Sequence, residues 1–381
     1  MSRLLYLVND LDFFRTHRLA LAQAALAESW EVGVAAPFHP EAARLAQSGF
    51  TVHTIPLGRR SMSPLAELRS LVAIWRLLRQ ERPDLLHTIT IKPTIYGGIA
   101  ARLAGTPRTV ATITGLGYVF SPGSPRAWLL RSLARAAYRL ALRRPSVRVI
   151  FQNPDDLALF TADGMVAPKQ TALVLGSGVD LQEFRPQPEP PPPVCVILPS
   201  RLLWDKGVGE FVQAARMLRE RGVAARMVLV GRPDPGNPSS VDEAQLSRWA
   251  QEGAVEWWGF RGDMPQVLAQ SHIVCLPSYY REGIPRVLIE AAACGRPVVS
   301  TDAPGCREIA RAGENGLLVP VRDAPALADA LQRLIGDPAL RRRMGARGRE
   351  IVEREFALPI VIAQTLAVYE ELRADVETGS R

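Results

Sequence analysis

Apolar residues in this chain gather in short runs closed by Gly, Pro, Asn or Asp, and between the runs lie longer stretches with apolar positions at helical spacing. Residues 3–8, 32–35, 52–55, 84–88, 109–113, 147–152 and 172–175 form a first series of such runs, and 194–199, 227–231, 255–259, 273–277, 298–301 and 317–320 form a second. Four to six apolar residues in a row suit a strand buried on both faces, and strands that alternate with helical stretches build βαβ units around a parallel sheet. The pattern predicts α/β architecture with two Rossmann-like, doubly wound parallel sheets. No repeat of 20–50 residues is visible.

The two series are separated by a stretch rich in proline, with Pro186, Pro188 and Pro190 to Pro193 close together. Proline lacks the backbone N–H that helices and central strands require, so 186–193 reads as a stiff, extended connector. The expected organisation is a domain over 1–185, a linker over 186–193, a second domain over 194–359, and a helical segment over 360–381 able to pack back on the first. Ligands of open parallel sheets bind beyond the carboxyl ends of the strands, so two such domains facing each other predict a shared cleft.

Length and composition agree with this reading. At 381 residues the chain exceeds one ordinary core, and 47% hydrophobic with 22% charged residues excludes disordered and fibrous classes. The net charge of +8 favours partners that carry phosphate: nucleotides, nucleic acid or an anionic membrane face. Lysine is rare, with Lys92, Lys169 and Lys206 the only three among 46 basic residues. Cys195, Cys275, Cys294 and Cys306 show neither C-x-x-C spacing nor a histidine cluster, which predicts reduced, structural thiols in a cytosolic protein. The apolar run 3–8 is too short for a secretory core, and no window offers about 18 uncharged apolar residues, so the expectation is a chain neither exported nor membrane-spanning.

The sharpest chemical pattern is Glu282 and Glu290 with seven residues between them. Pro285 suits a first helical turn and Gly295 a stop, so a helix is expected from Gly283 or Ile284, its free N–H groups making an anion site. Fully helical spacing separates the two glutamates by about 12 Å, beyond the ~5–9.5 Å of paired glycosidase carboxylates. Two separate ligand contacts fit better than an acid/base pair. At the end of the run 194–199 stand Arg201 and Lys206, two cations on one strand-to-helix loop that could neutralise a departing diphosphate.

In order along the chain, the Arg201/Lys206-Gly207 loop, the E-x7-E block, the segment Gly176 to Asp180 and the segment Thr301 to Glu308 resemble glycosyltransferase family 4 on a GT-B fold. The resemblance spans essentially the whole chain and is strongest from Gly176 to Pro320. It implies retaining transfer of a sugar from a nucleotide-diphosphate sugar with neither metal nor other cofactor bound. By that resemblance Arg201 and Lys206 hold the diphosphate, Glu290 binds the ribose, and Glu282 binds donor-sugar hydroxyls. The N–H groups of Gly283 and Ile284 face phosphate or sugar, and the loops at Gly231 and at Phe260-Arg261 border the base.

The first half resembles a subgroup that builds lipid-linked bacterial glycans, through Phe13 to Arg18, His87 to Gly97, and Thr114 to Phe120. Thr114 stands where relatives often have histidine, and the double-glycine loop after the first strand is absent. Thr114 and Gly115 are expected beside the reaction centre, with His17, His87 and Lys92 facing the acceptor; His17 and His87 also suit structural roles. The resemblance further implies a UDP-sugar donor, guessed to be an N-acetylhexosamine, and a polyprenyl-diphosphate-linked acceptor at the cytoplasmic face of the membrane.

Three further features bear on function. Asp10 and Asp12 form the D-x-D pattern that holds a metal in the other large glycosyltransferase fold, but they come directly after the first strand, the wrong place for that role. Arg131, Arg135, Arg139 and Arg143 share one helical face, which suits an anionic membrane surface or plain solvation, while Trp128, Leu129, Leu133, Ala137 and Leu140 populate other faces. A nucleotide-sugar epimerase of the same fold would need acid/base groups in place of E-x7-E. A nonspecific nucleic-acid binder is the rival from another class, though the arginines are spread over both halves and no nucleic-acid module is present.

Overall fold

The structure of the protein, a computed structural model, describes residues 2–58, 63–116, 125–279 and 281–378, with the side chains of 125–130 and 375–378 outside that description. Seven strands belong to the first half: β1 (Arg3–Leu7), β2 (Glu31–Ala36), β3 (Thr51–Thr54), β4 (Leu85–Ile89), β5 (Arg108–Ile113), β6 (Val147–Phe151) and β7 (Thr171–Leu173). Six belong to the second: β8 (Val194–Pro199), β9 (Ala225–Val230), β10 (Glu256–Trp257), β11 (Ile273–Leu276), β12 (Val298–Thr301) and β13 (Gly316–Val319). They form two sheets, ordered β3-β2-β1-β4-β5-β6-β7 and β10-β9-β8-β11-β12-β13, in which every neighbouring pair is parallel. Each apolar run read from the sequence coincides with one of these strands. The run 255–259 is cut to two residues because the chain turns away at Gly259, where φ is +69°.

Burial explains the runs. All five residues of β4 and all four of β12 are buried, because helices cover both faces of a parallel sheet. The helices carry their own start signals. Asn153 accepts a hydrogen bond from the Asp156 amide at 2.7 Å with Pro154 next, and Asp242, Asp323 and Asp337 cap three later helices in the same way.

The chain divides into two units, residues 1–177 with 361–381 and residues 178–360. The division lies at Ser177/Gly178, upstream of the proline-rich stretch expected to separate the domains. That stretch belongs to the second unit because prolines leave its carbonyls free as acceptors. Buried Arg296 donates to the carbonyls of Gln187 and Pro188 at 3.0 and 3.1 Å, and Arg341 clasps Glu189 at 2.8 and 2.9 Å. The chain passes between the units twice. Inside the second unit the two passages are tied together, with the Val179 amide bonding the Phe356 carbonyl at 3.0 Å and the Leu358 amide bonding the Val179 carbonyl at 3.0 Å.

The last helix, Leu358–Thr378, enters the first unit's core through Val361, Leu366, Tyr369 and Leu372. Tyr369 sits 2.6 Å from Nδ1 of His87 and 3.1 Å from the Tyr6 hydroxyl, while His87 Nε2 meets the Thr112 hydroxyl at 2.7 Å. His87 is fully buried, and burial, aided by the Arg18 charge, holds its pKa well below the usual imidazole value of 6.5. The folded protein therefore keeps His87 neutral at pH values where the unfolded chain binds a proton. Stability is expected to fall as pH drops below about 6.5. In His87→Gln, thermal unfolding scans should show a flatter acid limb; an unchanged limb would remove His87 as its source.

Among the described residues no helix is long and apolar enough to cross a membrane.

Candidate active site

In the second unit the strand order runs outward from β8 in both directions, to β9 on one side and to β11 on the other. The loops leaving β8 and β11 therefore diverge at their carboxyl ends and leave a crevice there. Lys206 and Glu282 come from these two loops and form an ion pair, their side chains only 12% and 13% exposed. The Ser278 hydroxyl lies 3.0 Å from the same Glu282 oxygen and 3.2 Å from the Asp205 carbonyl, and the Tyr279 amide donates to that carbonyl at 3.1 Å.

Two glycines allow the loops to approach so closely. Gly207 has φ +74°, and a Cβ there would stand 2.2 Å from the Pro277 carbonyl oxygen. Gly305, after β12, has φ +86°, and a Cβ would stand 2.1 Å from the Gly283 oxygen. Both positions exclude any side chain on two counts, the left-handed backbone and the contact. Lys206 itself ends a short 3₁₀ turn, Trp204–Lys206, before the helix Val208–Glu220.

The helix of the E-x7-E block spans Arg286–Ala293, two to three residues later than expected. Pro285 occupies the cap with φ −62° and ψ 114°, and the residue before a proline avoids the α region, which excludes a start at Ile284. Glu282 thus stands in the loop and Glu290 in the second helical turn, so the fully helical spacing does not apply. Glu290 is buried, with Arg286 Nε 2.7 Å from its carboxylate one turn earlier. Burial, with a smaller push from Glu183, raises the Glu290 pKa to about 7, while Arg286 opposes the shift.

The remaining expected residues of this unit scatter around the crevice. Arg201 pairs with Asp234 at 2.8 Å. The Gly231 amide bonds the Gly259 carbonyl at 2.8 Å, and its own carbonyl accepts from Trp257 Nε1 at 2.9 Å. Phe260 is 64% exposed with the Arg232 guanidinium 4.9 Å from its ring centre, an exposed platform of the kind a planar base can stack on. Arg261 is paired with Asp263, and Gly283 and Ile284 are buried. Ser278, Asp234 and Arg286 were not singled out from sequence, although Arg286 four residues before Glu290 is a readable helical pair.

In the first unit, Thr114 and Gly115 come after β5, Gly115 with φ +102°. The motif's continuation through Gly117, Tyr118 and Phe120 lies outside the described residues. His17 ends the helix Leu11–His17, stacked on Phe13 at 4.1 Å. His87 is corrected: fully buried with both ring nitrogens engaged, it has no open edge for an acceptor. Lys92 is engaged too, its ammonium 2.8 Å from Glu67 and 3.1 Å from the Gly58 carbonyl. Asp10 caps the helix Leu11–His17, accepting from the Phe13 amide at 3.0 Å, and Asp12 meets His39 at 3.3 Å.

The arginine face is partly engaged within the first unit. Arg135 pairs with Asp163 at 2.7 Å and Arg139 donates to the Asp163 carbonyl, because the helix Pro154–Ala162 ends beside this face. Arg143 is exposed, Arg131 is half-buried with a partner of its own, and the side chains of Trp128 and Leu129 lie outside the described residues.

Two family models match the sequence of this chain. Residues 193–337 match "Glycosyl transferases group 1" and residues 3–153 match "Glycosyl transferase 4-like". A Campylobacter jejuni protein named as the N,N'-diacetylbacillosaminyl-diphospho-undecaprenol alpha-1,3-N-acetylgalactosaminyltransferase is 28% identical over 85% of this chain and 87% of its own length. An Escherichia coli protein named as a UDP-Gal:alpha-D-GlcNAc-diphosphoundecaprenol alpha-1,3-galactosyltransferase is 25% identical over 75% of each. HepE of Anabaena, solved with UDP and glucose, superposes with TM-score 0.78 at 21% identity, covering 97% of this chain and all of that one, which establishes the shared fold. The epimerase alternative finds no support among these matches.

Proposed function

We propose a reaction for this chain from one premise: it belongs to the glycosyl transferases, with the group 1 domain in its second half, the family-4-like domain in its first, and the GT-B fold overall. The donor is a UDP-sugar, with N-acetylhexosamine the favoured sugar, and the acceptor is a sugar carried on a polyprenyl diphosphate at the cytoplasmic membrane face. The observation that carries the reading is the buried contact of Lys206 with Glu282 at the crevice between β8 and β11, with Glu290 buried on the next helix. Support for donor and acceptor comes from the two relatives whose names specify undecaprenyl-diphosphate acceptors, one of them with a UDP-sugar donor.

In this reading Arg201 and Lys206 neutralise the diphosphate as it leaves, the largest charge developed in the reaction. Glu290 accepts from the ribose hydroxyls and Glu282 from those of the sugar, while Thr114 and Gly115 border the reaction centre. The bond between the anomeric carbon and the phosphate oxygen breaks, and the acceptor oxygen bonds to that carbon from the same face. Its proton passes to the leaving phosphate, so configuration is retained without a protein nucleophile or a metal. The chain's work is positioning and charge stabilisation.

Calorimetric titration with UDP, GDP and ADP tests the donor. Micromolar binding of UDP alone is expected, weakened about tenfold, or ~1.4 kcal/mol, in Arg201→Ala. Preference for GDP or ADP would overturn the uridine assignment. Failure to turn over any UDP-N-acetylhexosamine with a polyprenyl-diphosphate-linked acceptor, while another UDP-sugar reacts, would overturn the sugar.

A further inference from the structure

We infer that the outward face of the helix Pro64–Glu81, with the end of the helix Ile91–Ala104 beside it, is the surface by which this protein docks on an anionic lipid bilayer. The inference deepens the lipid-linked acceptor reading, on which it rests, and moves the membrane contact from the arginine face of Pro125–Leu142.

The helix has two unlike faces. Ser70, Ile74 and Leu78 are buried, and Ile74 and Leu78 join the cluster that includes Leu86 of β4. At ~100° per residue, Leu65, Leu68, Arg69, Val72, Trp75, Arg76 and Arg79 project within an arc of about 120° on the opposite side. Leu65 and Leu68 are 70% and 57% exposed, Trp75 is 37% exposed, and neighbouring Leu103 on the adjacent helix is 64% exposed. Leu68, Leu71, Val72, Trp75 and Leu103 line an open groove of about 460 Å³. Single exposed leucines need no explanation, but Leu68, Trp75 and Leu103 around one groove, with Leu65 exposed on the same helix face, mark an interaction surface.

The charge on this face identifies its partner. Many arginines elsewhere in the protein are held by carboxylates, such as Arg3 by Glu31, Arg226 by Glu256 and Arg347 by Glu314. Arg69, Arg76, Arg79, Arg82 and Arg102 take part in no ion pair among the described residues, and all five are exposed. Arg79 and Arg82 line a second hollow, about 280 Å³, that reaches Ala104 and Gly105 at the end of the adjacent helix. Arginines without counter-ions, interleaved with exposed leucine and tryptophan, match the two layers of a membrane surface. The apolar side chains enter the acyl boundary and the guanidinium groups meet lipid phosphates, at about 1 kcal/mol per basic residue near an anionic leaflet. On Pro125–Leu142, by contrast, Arg135 and Arg139 are turned onto Asp163.

Co-sedimentation of the full chain with vesicles of phosphatidylcholine alone, and with 30% phosphatidylglycerol added, tests the surface. Binding to the anionic vesicles is expected, with little to the neutral ones. A Leu65→Ser/Leu68→Ser/Leu103→Ser variant and an Arg69→Gln/Arg76→Gln/Arg79→Gln variant should each bind at least tenfold more weakly, since all six positions are exposed and their replacement leaves the core intact. Arg139→Gln/Arg143→Gln should bind like wild type. Calorimetric UDP binding should be the same in all three variants, so loss of vesicle binding with UDP binding retained separates this surface from the donor site. Vesicle binding that survives both helix variants, or that fails in the Arg139/Arg143 variant instead, would overturn the inference. So would a change of oligomeric state in the leucine variant with vesicle binding intact, which would make the face a contact between copies of the chain.

Discussion

Lys206→Ala is expected to destabilise the second unit by about 3–5 kcal/mol, because it leaves Glu282 a largely buried carboxylate without the ammonium that compensates it. Loss of sugar transfer should accompany the loss of stability, which alone would not distinguish a structural pair from a catalytic one. The double replacement Lys206→Met/Glu282→Gln separates them. It removes both charges at similar volume, and the neutral amide can still accept from Ser278 at the 3.0 Å position. Urea unfolding of the double variant should return most of the lost stability, while transfer stays abolished. A double variant as unstable as the single would show that the ion pair is not the source of the effect. One that turns over normally would remove both residues from the chemistry.

Glu290→Gln is expected to act in opposite directions on stability and on ligand affinity. Burial raises the Glu290 pKa from 4.5 to about 7. Between those values the folded state holds a proton that the unfolded chain has released, so stability falls as pH rises through the window and the loss is complete above it. At about 1.4 kcal/mol per unit, the ionised carboxylate costs the folded protein roughly 3 kcal/mol at pH 8. A neutral glutamine of the same shape avoids that cost, so the variant should unfold at higher temperature than wild type at pH 8, with the gap closing towards pH 5. UDP should bind about 10–100-fold more weakly to it, since hydrogen bonds to a charged acceptor are worth ~1.5–3 kcal/mol. For the wild type, affinity should decline as pH falls below 7. A variant no more stable at pH 8 would mean that Glu290 is not strained by its burial, and unchanged UDP affinity would move the ribose elsewhere.

The two sheets were legible because parallel strands buried on both faces have to be apolar at nearly every position, a signal carried by few consecutive residues. The E-x7-E block and the Arg201/Lys206 loop were legible as ligand-binding chemistry through glycine and charge at strand ends. Less visible was which charges meet: nothing in the spacing of 76 residues between Lys206 and Glu282 announces their contact, which depends on the strand order placing β11 beside β8. His87 shows the reverse failure. A histidine at the end of an apolar run reads equally as a ligand or as core, and the deciding partner, Tyr369, lies 282 residues away. The boundary at 177/178 escaped because proline content marks stiffness rather than separation, and the carbonyls of that segment are satisfied by Arg296. The helix starts at Arg286, and the constraint a proline places on the residue before it accounts for the exclusion of Ile284.

The last helix has a consequence for the order in which this protein comes to exist. Residues 178–360 are interposed between the body of the first unit and the segment 361–381 that completes it. During synthesis the second unit is therefore entire before the first, reversing the usual rule that the amino-terminal domain of a chain folds ahead of its later domains. Until Tyr369 emerges, His87 on the central sheet lacks the hydroxyl that satisfies Nδ1, and the apolar faces around Trp30 and Tyr6 lack their cover. The nascent first unit must wait, incomplete, through the translation of its neighbour, and a ribosome that stalls in the final helix releases a finished second unit joined to an unfinished first.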